Sequence, residues 1–398
     1  MTARFVQIHT LTSYPASLLN RDDAGFAKRM PFGGAVRTRV SSQCLKRHWR
    51  VYDGDNGLGS IDAPESVRSR ISFERYIVEP LVREGVGEQV ARVAAQKIVG
   101  KVFGSEAKKE KAEKKGGKKN SEQDGAGALD PVSTAQVTVL GRPELDYLCE
   151  LAREAVRDAG GDADKVEKAV DIRMKNDKEL RKNIQALKPG SLEAGLGAAL
   201  FGRMVTGDVL ARTDAAIHVA HAMTVHGQMT ESDYFSAIDD LVREDGEQGS
   251  GHINASELTS GVFYGYVVID VNGLLENLGD DRRLAGDVVQ KLVHMIATVS
   301  PGAKKGSTAP YAYSHLVLVE SGRAQPRTLQ NAFLEPVRTS GNIIENSYRA
   351  VAQHLSDLDE MYGKSEQRAH AGLRTGELFE GRMDLVGLSE WAKARVTE

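Results

Sequence analysis

The run Gly261–Val271, GVFYGYVVIDV, contains a single charged residue among aromatic, aliphatic and glycine positions. A half-exposed strand alternates polar with apolar residues, so an unbroken run of this kind reads as a central strand buried on both faces. Other segments fall into place around it. Arg4–Leu11 and His315–Val319 have strand patterns, Arg37-Thr38-Arg39 reads as a short strand, and Ala215–His226 reads as a further one. Helical spacing begins at Ser41 and recurs over Asp281–Thr298 through Leu284, Val288, Leu292 and Ile296. Strand, helix, strand, strand, helix, strand is the β-α-β-β-α-β order of an α+β, ferredoxin-like fold interrupted twice.

The order G-x-F-Y-G-Y-V within the central run also resembles the aromatic strand of RNA-recognition modules, without the Lys or Arg that leads that motif. An open sheet of this type would offer one face to single-stranded nucleic acid, although a fold does not decide a function.

The first interruption follows a glycine-rich change near Asp53, with Gly54, Gly57 and Gly59. Helical spacing then dominates Glu65–Ala95, with Ile71, Tyr76, Ile77 and Leu81 expected inside. The stretch 101–127 is crowded with lysine, poor in apolar residues and unable to form a core. Helices resume after Pro143 and carry a basic cluster: Arg173, Lys175, Lys178, Arg181 and Lys182. The second interruption, Gly227–Leu258, has aromatic and apolar flanks around a glycine-rich centre, as in a long hairpin. Its acidity (Asp239, Asp240, Glu244, Asp245) disfavours phosphate, whereas Tyr234, Phe235, Ile238 and Ile253 could wedge against bases. After Ser340 the chain reads as helices and irregular tail.

Asn20–Arg50 carries the strongest chemical signal. Ser41 and Ser42 suit a helix cap, and at about 100° per residue Leu45, Trp49 and Tyr52 share one side while Gln43, Lys46, Arg47 and Arg50 share the other. Cations near a helix start oppose its dipole, so an anion is expected there. Arg37 and Arg39 add charge on one strand face. Arg21, Lys28 and Arg29 lie in a loop, Thr12–Met30, whose neighbour Gly33-Gly34 would admit a close ligand. A solvated basic face accounts for one such helix, but not for loop, strand and helix charges converging.

The bulk charge adds nothing: 52 Lys and Arg against 55 Asp and Glu give −3, so nucleic-acid binding must come from local clusters. Cys44 and Cys149 are far apart and form no C-x-x-C pair, which fits a reducing cytoplasm. Neither a signal segment nor a membrane-spanning run is visible. His218, His221 and His226 do not make a metal site, because on a strand the first two face opposite ways and the outer two lie about 27 Å apart. Gly363-Lys364-Ser365 lacks the earlier glycine of a phosphate-binding loop, and no nucleophile elbow or H-E-x-x-H occurs.

The run N-R-D-D (Asn20–Asp23), Lys28, F-G-G (Phe32–Gly34), then R-x-R-V-S-S-Q-x-L-K-R (Arg37–Arg47) resembles the start of the CasC family, of the RAMP superfamily. That family supplies the backbone subunit of the type I-E CRISPR surveillance complex, Cascade. Ala199–Thr206 and Ala215–His226 extend the likeness. It implies a palm (1–58, 195–226 and 259–398, the last with C-terminal helices), helical fingers (59–194) and a hairpin thumb (227–258). By the same resemblance Arg21, Lys28, Ser41, Gln43, Lys46, Arg47 and Arg50 hold guide-RNA phosphates, and Met204 and Phe235 contact bases. Tyr234 stands where relatives often have tryptophan, and Ala35 where they can carry a basic residue. Arg37, Arg39, Lys304 and Arg338 are further RNA candidates, and Lys175, Lys178, Arg181 and Lys182 are candidates for target DNA. The implied protein is a non-catalytic, cofactor-free and metal-free cytoplasmic scaffold. Its implied partners are the guide, the DNA pairing with it, further copies of itself, and the large, small, guide-processing and 5′-handle-binding subunits. The competing expectation is a metal-dependent CRISPR-associated ribonuclease.

Overall fold

The computed structural model describes residues 3–104, 130–134, 136–204, 209–238 and 250–398, with side chains at 235–238 and 250–254 excepted. The chain divides into two compact units. The first comprises Met1–Ile61, Ile217–Val271 and Arg282–Glu398, and the second Asp62–Ala216 and Asn272–Asp281. Residues 195–216, assigned to the palm from sequence, therefore belong to the second unit.

In chain order the first unit contains β1 (Phe5–Ser17), β2 (Arg29–Phe32), β3 (Ala35–Val40), α1 (Ser42–Arg50), β4 (Ile217–Val219), β5 (Ala222–Thr224), β6 (Thr230–Ile238), β7 (Ser250–Asp270), α2 (Arg282–Thr298), β8 (Ser314–Gly322), α3 (Ile343–Tyr362), β9 (Gln367–Gly372) and α4 (Leu385–Thr397). Among the described residues the sheet runs β9-β8-β1-β7-β5-β3-β2, with β4 and β6 also paired to β7. Its middle, β8-β1-β7-β5, is antiparallel throughout and is the fourth-first-third-second order of a ferredoxin-like palm.

Both faces of the sheet are covered. Successive residues of β7 point oppositely: Phe263 packs with Tyr14, Val40 and Leu45 on the α1 side, while Tyr264 packs with Leu11, Phe333 and Tyr348 under α3. The aromatic strand is thus a buried centre, and no bare face of the kind seen in RNA-recognition modules exists at Tyr264. The pairing of β1 and β7 ends at Ser17↔Thr259, and β7 continues outward to pair with β6 from Thr230↔Thr259 to Ile238↔Ser250. One strand therefore serves as both the core of the sheet and an arm of the hairpin. The acidic hairpin centre, including Asp239, Asp240, Glu244 and Asp245, lies outside the described residues.

Two expectations of irregular chain are overturned. β1 extends six residues beyond Leu11, carried by pairing with β7 as far as Ser17, by buried Tyr14, and by Thr12 Oγ1 meeting Ser314 Oγ at 2.8 Å. The tail after Ser340 likewise contains a strand, β9, on the edge of the sheet beside β8.

The second unit is helical around one apolar cluster built from the helices Glu88–Phe103, Arg142–Asp158, Ala163–Arg173 and Asp177–Gln185. Its entry is not helical as expected: Ser66–Ser69 is a strand paired with Thr138–Gly141. Ile77 and Leu81 are buried, but Ile71, just past that strand, is exposed. Lys101 lies in the last turn of the Glu88–Phe103 helix and pairs with Asp171 at 3.2 Å, while the lysine-rich remainder, 105–127, lies outside the described residues.

Candidate nucleic-acid interface

The start of α1 is built by the loop before it. Ser41 caps the helix, its Oγ accepting from the Cys44 amide at 3.3 Å, and Asn20 Oδ1 accepts from the Ser41 amide at 2.9 Å. The Lys28 amide donates to the Asn20 carbonyl and the Arg39 amide to the Lys28 carbonyl, so loop, β3 and α1 are stitched together at one edge. Trp49 is buried and Leu45 packs with Val40 and Phe263, leaving Gln43 and Arg47 exposed and Lys46 and Arg50 half-buried. The helix dipole does not oppose these arginines, contrary to expectation. α1 has only nine residues, so Arg47 and Arg50 stand in its last turn, where the dipole favours cations.

Arg37 is a second correction. Sharing a strand face with Arg39 does not make it a surface group, for it is 0% exposed. Its guanidinium donates to the carbonyls of Phe32 (3.1 Å), Thr224 (3.2 Å) and Phe333 (2.7 Å). Arg37 thus ties β3 to neighbouring segments and is unavailable to a ligand. Nor does Gly33-Gly34 await one. Both glycines have positive φ in the two-residue turn from β2 to β3, and a Cβ on Gly33 would lie 1.8 Å from the Leu334 carbonyl oxygen.

What remains is a set of cations that meet imidazole rather than carboxylate. Arg39 Nη1 donates to His221 Nδ1 at 2.8 Å, which leaves the proton of the neutral ring on Nε2. His48 Nδ1 donates to the Cys44 carbonyl at 2.8 Å, leaving its Nε2 able to take a proton. Burial first, then Arg39 and Lys28, pushes His221 below its ordinary value. Burial, with Lys305 and Arg47, does the same to His48 against the opposing Cys44 bond. Among the described residues none of Arg21, Lys28, Arg39, Arg47 or Lys305 has a carboxylate within ion-pair distance. Both histidines escaped the sequence reading, which weighed His221 only as a metal ligand. The i, i+4 spacing of Cys44 and His48 on α1 was the available signal for the second.

The foot of the hairpin adjoins this edge. Glu257 accepts from the Ala27 amide at 2.7 Å and pairs with Arg29, and Lys304 Nζ donates to Ser256 Oγ at 2.9 Å. Farther out, Tyr234 is 66% exposed, and Phe235 stands opposite Asn254, its side chain outside the described set. Arg338 is exposed but elsewhere: the Val337 amide donates to the Val225 carbonyl on the α3 side. In the second unit Met204 is 94% exposed; Lys175, Lys178 and Lys182 are exposed and Arg181 half-buried, while Arg173 is held by Glu154 and Asp158. Asp22 Oδ1 accepts from the Ala24 and Phe26 amides, shaping its own loop. Among the described residues no three His, Cys, Asp or Glu side chains are grouped to hold a metal, and no helix is long and apolar enough to cross a membrane.

The family described as CT1975-like protein matches residues 6–387. A chain of a solved "CRISPR RNA-guided surveillance complex, pre-nicking" is similar over 98% of this chain and 100% of that one, at 26% identity and a TM-score of 0.76. A chain of a second "CRISPR RNA-guided surveillance complex" shares the fold over 98% and 99%, at 23% identity and a TM-score of 0.66. Among curated proteins none matches the sequence. The chain belongs to the CT1975-like protein family and is a CasC-like Cascade subunit.

Proposed function

We propose that this chain is a non-catalytic, guide-RNA-binding backbone subunit of a type I-E complex, acting in the cytoplasm in antiviral defence. Copies stack head to tail along the guide, a heterologous contact that propagates without closing. The guide selects the invading DNA by base pairing, while the protein holds backbone and shape. The large, small, guide-processing and 5′-handle-binding subunits complete the assembly. The observation that carries this reading is the edge at α1, where cations converge beside a hairpin and where, among the described residues, Arg21, Lys28, Arg39, Arg47 and Lys305 have no carboxylate within ion-pair distance. Phosphates would supply the missing negative charge. Exposed Met204 and Tyr234 suit contact with bases, and Lys175, Lys178, Arg181 and Lys182 suit the target DNA.

Expressed with its genomic neighbours, the protein should purify with RNA of uniform length. Incubated alone with labelled RNA, it should protect without cutting, with or without magnesium. Magnesium-dependent cleavage would instead establish the ribonuclease. Lys46→Ala with Arg50→Ala should weaken binding and flatten its salt dependence by about 0.7 per lost phosphate contact on single-stranded RNA.

A further inference from the structure

We propose that Tyr311 and Tyr313 form a second platform on which the RNA bases stack, next to the phosphate-binding edge at α1. The inference rests on the RNA-binding reading and extends it to residues that neither the motifs nor the helix pattern singled out. Both side chains are large and unusually bare, at 73% and 72% exposed. Folding gains nothing from leaving two aromatic rings in water one residue apart, so the pair asks for an occupant.

The backbone beneath them is fixed. Ser300 Oγ donates to the Ala312 carbonyl and accepts from the Ala312 amide, both at 2.9 Å. Ala312 packs inward with Cys44 and Leu45 of α1, so its two neighbours are turned outward. Ahead of them the Tyr311 amide donates to the Ala309 carbonyl at 2.7 Å, in a turn that holds Ala309 at a φ of +40°. The other end of the loop is anchored too, by the Ala303 amide on the Leu18 carbonyl and by Lys304 on Ser256. A platform held in this way loses little entropy on binding.

The charge around the pair indicates what it receives. No Asp or Glu occurs between Asp287 and Glu320, whereas Lys304 and Lys305 lie in that interval, and the charge of Lys305 reaches His48 on α1. Exposed aromatic rings on a loop that carries lysines and no acid fit single-stranded RNA, whose bases stack on any such ring while its phosphates meet the lysines. A protein partner would need complementary carboxylates and would not discriminate RNA with bases from RNA without them.

The test uses the full-length chain, a single-stranded RNA, and the same RNA with abasic positions. Tyr311→Ala with Tyr313→Ala should lower affinity for the intact RNA by about fivefold or more, while the slope against salt stays at the wild-type value. Tyr311→Phe with Tyr313→Phe should bind as wild type, because the ring is retained. The wild type should prefer intact to abasic RNA by more than the alanine variant does. Unchanged affinity in the alanine variant, beside a wild type with a steep salt slope, would overturn the platform and leave the phosphate edge standing. An equal loss on both RNAs would also overturn it, as would normal RNA binding with failed assembly. A wild type that binds no RNA at all would remove both proposals together.

Discussion

The helical second unit and the α1 edge of the first are both rich in arginine and lysine, and they treat the charge in opposite ways. In the helical unit Arg92 meets Glu74, Glu88 and Asp130, Lys97 meets Glu167 and Asp171, and Arg153 meets Glu84 and Glu150. Their charge is balanced internally. Even within the first unit Arg327 and Arg368 converge on buried Glu320; burial raises that carboxyl, but hydrogen bonds from His9 and the arginines outweigh it and hold it below the usual carboxylate range. At the α1 edge Lys28, Arg39, Arg47 and Lys305 act instead on histidines and Cys44. The lesson is that a count of basic residues does not separate the two regions, whereas asking which cations have an acidic partner among the described residues does, and the proposed RNA site follows from that second question.

The contrast can be broken by substitution. Replacing Lys28, Arg39, Arg47 and Lys305 with alanine should reduce RNA affinity by about two orders of magnitude near physiological salt and lower the salt slope by up to about three. Calorimetry of the same variant should show a loss of no more than about 1 kcal/mol, since the Arg39–His221 hydrogen bond is given up while like charges are removed. Arg37→Ala should do the reverse: a loss of about 3 kcal/mol in denaturant unfolding, from three carbonyls left without their donor and a cavity in the core. RNA binding by whatever fraction remains folded should keep its salt slope.

A smaller effect concerns pH. His48 is held below 6.5 in the free protein, and a nearby phosphate would favour its charged form. Binding would then take up a proton, so affinity should rise as pH falls through the bound value and level off below the free one. His48→Ala should flatten that rise in a titration of affinity between pH 5 and 8. Smallest of all, Arg173→Ala should cost under about 1 kcal/mol, because its pairs with Glu154 and Asp158 are partly exposed, and should leave RNA binding untouched.

These regions were not equally legible in the sequence. The ferredoxin-like order was, because β7, α2 and β8 carry unmistakable apolar periods. β9, Gln-Arg-Ala-His-Ala-Gly, was not: its buried His370 and its Arg368 are satisfied by Thr375, the Glu380 carbonyl, Asp359 and Glu320, partners distant from any local pattern. Arg37 was misread for a related reason. Strand alternation tells which residues share a face, but not which face the protein will bury. The cationic character of α1 was legible, whereas the length of the helix was not, and length determines which end of the dipole the arginines occupy.

A reconstruction of the assembled complex with its RNA addresses the central claim directly. The account predicts phosphates against Lys28, Arg39 and the Lys46–Arg47 side of α1, with Glu320 and its arginines away from the strand. RNA running over the α3 side, with the α1 edge open to solvent, would contradict it.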